Sequence, residues 1–168
     1  PRYTSYPTAP SCGDIGPQQY REALQRFDQE PRPLSLYLHI PFCRSMCLYC
    51  GCSVVLNRRP ENEERYIEYL LREIDLAAER LQGVHPVGQV HLGGGTPTQL
   101  SEPLMERLVR RLRERFQFAA DAEVAIEIDP RTVVEDNGSK LRHLKHLGFN
   151  SSGRSIDRAV WRLKTISL

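Results

Sequence analysis

Apolar and polar positions first alternate along this chain over residues 34–40. Leu34, Leu36, Leu38 and Ile40 form one row; Ser35, Tyr37 and His39 form the other. That period of two predicts a strand with two differently employed faces. Val87–Leu92 reads as a second strand. Ala122–Asp129 reads as a third, with Val124, Ile126 and Ile128 set against Glu123, Ala125 and Glu127. Between the strands the apolar spacing changes to three and four. Tyr66, Ile67, Leu70, Leu71, Ile74, Ala77, Ala78 and Leu81 predict a long helix over 60–81 with a solvated Glu/Arg face. Leu104, Leu108, Leu112 and Phe116 predict another over 102–116, with Ser101 as its cap. Leu141, Leu144 and Leu147 predict a last one over 139–147, stopped by Gly148. A short amphipathic helix over 18–29 comes first, ended by Pro31 and Pro33. The order strand–helix, three times over, predicts an α/β fold with a parallel sheet.

Chemistry gathers just past the strand ends. Four of the five cysteines lie within residues 43–52, and Cys43, Cys47 and Cys50 are spaced C-x3-C-x2-C. Pro41 ends the strand and delivers the chain to this loop, at the end where βα barrels place their active residues. Thiolates are soft ligands that suit iron–sulfur clusters or zinc. Three thiolates on a four-iron cluster leave one iron open to a ligand. Zinc with Cys52 as fourth ligand is the alternative, though no second ligand pair follows. An odd cysteine count in so crowded a stretch argues against a disulfide framework. After the second strand comes Gly93-Gly94-Gly95-Thr96-Pro97-Thr98. Glycines at a strand end let a ligand approach the backbone, and their N–H groups could receive a carboxylate. No Gly-Lys-Ser/Thr follows, which excludes a phosphate loop. Glu127 falls on the row opposite the aliphatic one, where a carboxylate could accept from ribose hydroxyls; a surface Glu is the alternative. His39 reads as a hydrogen-bonded structural histidine rather than a ligand.

Composition narrows the classes. The 168 residues are 40% hydrophobic and 26% charged, the proportions of one globular domain. A net charge of +2 is too mild for a nucleic-acid binder. The Arg-rich face of 102–116 is broken by Glu106 and Glu114 and reads as solvated, as do His143 and His146. No apolar run approaches the roughly 20 residues of a membrane span. No secretory segment is visible, and the expected compartment is a reducing cytoplasm.

The C-x3-C-x2-C spacing with aromatic Tyr49 before the last Cys resembles the radical S-adenosylmethionine enzymes. Leu36-Tyr37-Leu38-His39-Ile40-Pro41-Phe42-Cys43, then Cys50-Gly51-Cys52 and the opening Pro1–Ala9, resemble the oxygen-independent coproporphyrinogen III oxidase family within them. The resemblance implies a partial radical SAM (βα) barrel over 34–150, behind an arm and helix over 1–33. It implies a [4Fe-4S] cluster on Cys43, Cys47 and Cys50. It places Tyr37, Gly94 and Glu127 at a first S-adenosylmethionine, and Tyr49, Gly95 and Thr96 at a second. Its activity is anaerobic oxidative decarboxylation of coproporphyrinogen III to protoporphyrinogen IX, in heme biosynthesis. Two propionates become vinyl groups as CO2 leaves. The partners are a porphyrinogen and an unidentified electron donor, in a monomeric full-length protein. Arg2, Tyr3 and Tyr6 would fold back over the site. The complete barrel has six strand–helix units of roughly 30 residues each, and this length holds about three; the expectation is a piece of the enzyme. Residues 151–168 leave the family pattern and read as a divergent tail. The rival readings are a heme-binding, chaperone-like homologue without turnover, which Cys52 and the arm argue against, and an inactive remnant.

Overall fold

The computed structural model describes residues 13–46, 51, 53–133 and 138–151. Cys12, Cys47, Tyr49, Cys50, Cys52, the arm residues Arg2, Tyr3 and Tyr6, and the tail from Ser152 on lie outside the described residues. The elements in chain order are α1 (Pro17–Asp28), β1 (Leu34–Ile40), β2 (Phe42–Cys43), β3 (Val55–Leu56), α2 (Pro60–Arg80), β4 (Val87–Gly94), α3 (Glu102–Arg115), β5 (Phe118–Ile126) and α4 (Ser139–His146). Strands β1, β4 and β5 form one parallel sheet in that order. Each consecutive pair is joined across a helix, as a parallel sheet requires.

The two rows of each strand part company as the alternation predicts. Leu38, Ile40, Val90, Leu92, Val124 and Ile126 are buried beneath the helices. Ile67, Leu71 and Ile74 of α2, Leu104, Leu108 and Leu112 of α3, and Leu141 and Leu144 of α4 close over them. Each such side chain contributes about 1.5–3 kcal/mol on burial. The other row holds Ser35, Tyr37 and His39 beside Gln89 and His91, then Glu123 and Glu127. This polar face looks away from the helices and carries the candidate site.

Several expectations need correction. The third strand runs Phe118–Ile126 rather than Ala122–Asp129. Val87 pairs with Phe118, which starts the strand early. Asp129 instead opens a 3-10 turn, Pro130–Thr132, accepting from the Arg131 N–H where Pro130 has none to give. The second strand continues through Gly93 and Gly94, because His39 and Ile40 still pair with them. The α2 face is not wholly solvated. Glu63 is buried and accepts from the amides of Asn57 and Gln99, at 3.3 and 2.6 Å. His143 is not solvent-facing either: it lies between Glu102 and Glu106 of α3. On α3, Arg111 and Arg115 reach across to Asp75 of α2 rather than standing free in solvent.

The third strand is not left bare at its upper end. Asn150 and Ser151 lie along β5, with Ala125 opposite Ser151 in parallel. The Asn150 side chain accepts from Val124 N–H at 2.8 Å and donates to the Ala122 carbonyl at 2.9 Å.

Candidate active site

The C-terminal ends of β1, β4 and β5 converge on one rim. Past β1, Pro41 turns the chain into the two-residue strand β2, which ends on Cys43. The chain returns as β3, parallel to β2, with Leu56 beside Cys43. Val55 N–H donates to the Pro41 carbonyl at 2.7 Å, and Asn57 N–H to the Cys43 carbonyl at 2.9 Å. Both ends of the 44–54 loop are thus pinned side by side. In sequence that loop carries Cys47 and Cys50, and Cys43 at its neck is buried. A loop tied at its neck, with three thiols in its span, suits a cluster held by soft ligands. The Cys43 sulfur lies 3.3 Å from the Thr96 hydroxyl.

The glycine turn is laced to this neck. Gly95 N–H donates to the Ile40 carbonyl and Thr96 N–H to that of Phe42, both at 2.8 Å. A Cβ on Gly95 would fall 2.7 Å from the carbonyl oxygens of Pro41 and Phe42. Only glycine permits that approach. Gly94 N–H is taken as well, donated to Glu127 Oε2 at 3.0 Å. The N–H groups expected to receive a carboxylate are therefore already bonded within the protein.

Around the turn stand the polar-row residues. Glu127, just past β5, reaches back over β4; its Oε1 lies 3.3 Å from His91 Nε2. A Cβ on Gly93 would touch both the Glu127 carboxylate and the Tyr37 hydroxyl at 3.0 Å, so the two side chains flank that glycine. The Tyr37 ring stacks on His91, centroids 5.8 Å apart and planes 11° from parallel. Its hydroxyl lies 3.2 Å from His39 Nδ1. His39 Nε2 lies 2.9 Å from the Ser53 carbonyl, in the return leg of the cysteine loop. His39 is thus hydrogen-bonded on both nitrogens, as a structural histidine is.

One clamp joins β5 to the cysteine loop. Asp129 holds the Arg131 guanidinium through both oxygens, and Arg131 Nη1 donates to Ser45 Oγ at 3.2 Å. The guanidinium in turn lowers the Asp129 pKa below its ordinary 3.8. Beside Cys43 and Thr96 a polar cleft of about 260 Å³ opens, with Arg44, Arg131 and Lys140 on its wall.

The described geometry thus gathers Cys43, Tyr37, Gly94, Gly95, Thr96 and Glu127 at one rim. Cys47, Cys50 and Tyr49 lie outside the described residues. His91 and Arg131 were not singled out from sequence. His91 could have been, standing two residues before Gly93 on the same row as Tyr37. For Arg131 the sequence gives no pointer to its partner Ser45, which lies 86 residues away.

Residues 37–159 match the radical SAM superfamily. The oxygen-independent coproporphyrinogen III oxidase of Escherichia coli is 47% identical over 151 residues, covering 89% of this chain and 32% of that protein. Its namesake in Mannheimia haemolytica is 45% identical over 131 residues, covering 77% of this chain and 88% of that sequence. The solved structure of the Escherichia coli coproporphyrinogen III oxidase, described as a radical SAM enzyme, superposes with a TM-score of 0.78 at 45% identity. It covers 88% of this chain and 33% of that one. The chain spans about a third of the length of that Escherichia coli relative and of the 44% identical one from Salmonella typhimurium. Such a family implies a [4Fe-4S] cluster and S-adenosylmethionine; the thiol of Cys43 at the pinned neck of a loop whose sequence carries two further spaced cysteines is chemically suited to the first. By its sequence match across most of its length and by its fold, the chain belongs to the radical SAM superfamily, and within it to the oxygen-independent coproporphyrinogen III oxidases.

Proposed function

We propose that this chain is the cluster- and cofactor-binding part of an oxygen-independent coproporphyrinogen III oxidase. Its reaction would convert coproporphyrinogen III to protoporphyrinogen IX. In net terms each reacting propionate loses one hydrogen from carbon, one electron and CO2, leaving a vinyl group. The observation that carries this reading is the convergence of Tyr37, Gly94 and Glu127 on the rim where Cys43 ends its strand.

When bound, the cluster and S-adenosylmethionine supply one-electron chemistry able to take a hydrogen atom from an unactivated propionate carbon. The chain's own residues do the holding. Cys43, Cys47 and Cys50 would ligate the cluster as thiolates, leaving one position for the cofactor. Glu127, fixed by Gly94 N–H, presents a carboxylate that can accept from ribose hydroxyls. Tyr37 forms a flat wall beside it. The carbonyl oxygens of the Gly94–Gly95 turn can accept from the cofactor's ammonium group. Tyr49, Gly95 and Thr96 would border a second cofactor molecule. Thr96, bonded to Phe42 and within reach of the Cys43 sulfur, couples that region to the cluster loop. The electron comes from a donor protein or reductant in a reducing, cytoplasmic setting, which an oxygen-sensitive thiolate site needs. Among the described residues no helix is long and apolar enough to cross a membrane.

The test is anaerobic reconstitution with iron and sulfide, followed by addition of S-adenosylmethionine and dithionite. Formation of 5′-deoxyadenosine and methionine is the expected result. A cluster-loaded chain that leaves the cofactor intact contradicts the reading.

A further inference from the structure

We propose that His91 is a positioning residue that sets Glu127 and Tyr37 together for the cofactor. The inference rests on the reading of those two side chains as cofactor-binding.

His91 sits mid-strand on β4, between Tyr37 of β1 and Ala125 of β5 in the register. One face of its ring lies flat along Tyr37. With the proton on Nε2, the ring donates to Glu127 Oε1 at 3.3 Å, while Gly94 N–H donates to Oε2 at 3.0 Å. A carboxylate held through one oxygen can swing about its last bonds. Held through both, it has a fixed plane. That matters here because the Glu127 side chain is half exposed, and packing alone does not lock its rotamer. Ala125 lies next to His91 across the sheet, two residues before Glu127. A single imidazole thus touches two cofactor-facing groups carried by the strands on either side of it. A residue present only to fill space between Tyr37 and β5 would need the ring and not the nitrogen.

Two substitutions separate these roles. His91→Phe keeps a flat ring against Tyr37 and loses the hydrogen bond. His91→Gln gives up the stack and keeps an N–H at similar reach. The full chain is reconstituted anaerobically, iron content is matched, and S-adenosylmethionine is titrated against the EPR signal of the reduced cluster. His91→Phe is expected to weaken cofactor binding by about tenfold or more, with iron content and thermal midpoint near wild type. His91→Gln is expected within about threefold of wild type. In a Glu127→Ala background, His91→Phe should add no further loss. Unchanged binding by His91→Phe overturns the proposal. So do equal losses in both variants that track their thermal midpoints, the pattern of a packing residue. A wild-type chain that carries the cluster but ignores the cofactor overturns the underlying reading first, and this inference with it.

Discussion

Gly94 shows how tightly single residues are specified at this rim. Its φ is +114°, and a Cβ there would lie 2.7 Å from the His39 ring. Gly94→Ala should destabilise the chain by about 1–2 kcal/mol from the backbone alone, more once His39 is displaced. Urea unfolding by circular dichroism would measure it, and an unchanged midpoint would count against the geometry. Tyr66 is a second such residue: its hydroxyl donates to the His39 carbonyl at 2.6 Å, and burial raises its pKa above 10.0. A raised folded pKa gives stability that is complete below pH 10 and is lost as pH climbs through the folded value. Tyr66→Phe should cost about 1 kcal/mol at neutral pH and remove that alkaline dependence. The polar row was legible here because a period of two fixes which side chains share a face. That Tyr37 and Glu127 share one site is an expectation from the family resemblance, not from the period. The partners of the Gly94, Gly95 and Thr96 amides were not legible. Glycine spacing says that something comes close, and here the something is the protein's own carbonyl oxygens and Glu127.

The cysteine loop behaves as an element of its own, tied at the neck by β2 and β3 and braced at its near side by Arg131. Arg131→Ala should speed loss of iron to a chelator by several-fold without abolishing cluster formation; identical rates would remove the bracing role. The Asp129–Arg131 pair adds under about 1 kcal/mol to global stability, being partly exposed. Its sign is nonetheless fixed. The folded Asp129 pKa lies below 3.8, so the contribution is present above about pH 4 and falls away as pH drops through the folded value. The return leg is held by the buried Glu63–Asn57–Gln99 cluster. Glu63→Ala leaves two amide donors unsatisfied and should cost about 1–3 kcal/mol in denaturant unfolding. The long elements were readable because they repeat their pattern over many turns. β2 and β3 have two residues each, too few to show any period. Glu63 read as solvated because a helical wheel shows a side chain's direction and not what another loop brings to it.

At the scale of the molecule, the three parallel strands among the described residues leave two edges. β5 borrows Asn150 and Ser151 at its upper end, and Asn150→Ala should cost about 1–3 kcal/mol by freeing Val124 N–H and the Ala122 carbonyl. The strand order came from the structure; the α/β class and the parallel sheet followed from the alternation of periods. The pairing by Asn150 and Ser151 did not, because two residues carry no alternation. The central proposal is that the tied loop holds a [4Fe-4S] cluster with a position open to S-adenosylmethionine. The most direct measurement is EPR of the anaerobically reconstituted, reduced chain before and after adding that cofactor. The expected result is a [4Fe-4S] signal that changes on addition, and loss of the cluster in Cys43→Ala, Cys47→Ala and Cys50→Ala. A cluster that forms without these cysteines, or a signal indifferent to the cofactor, would contradict it.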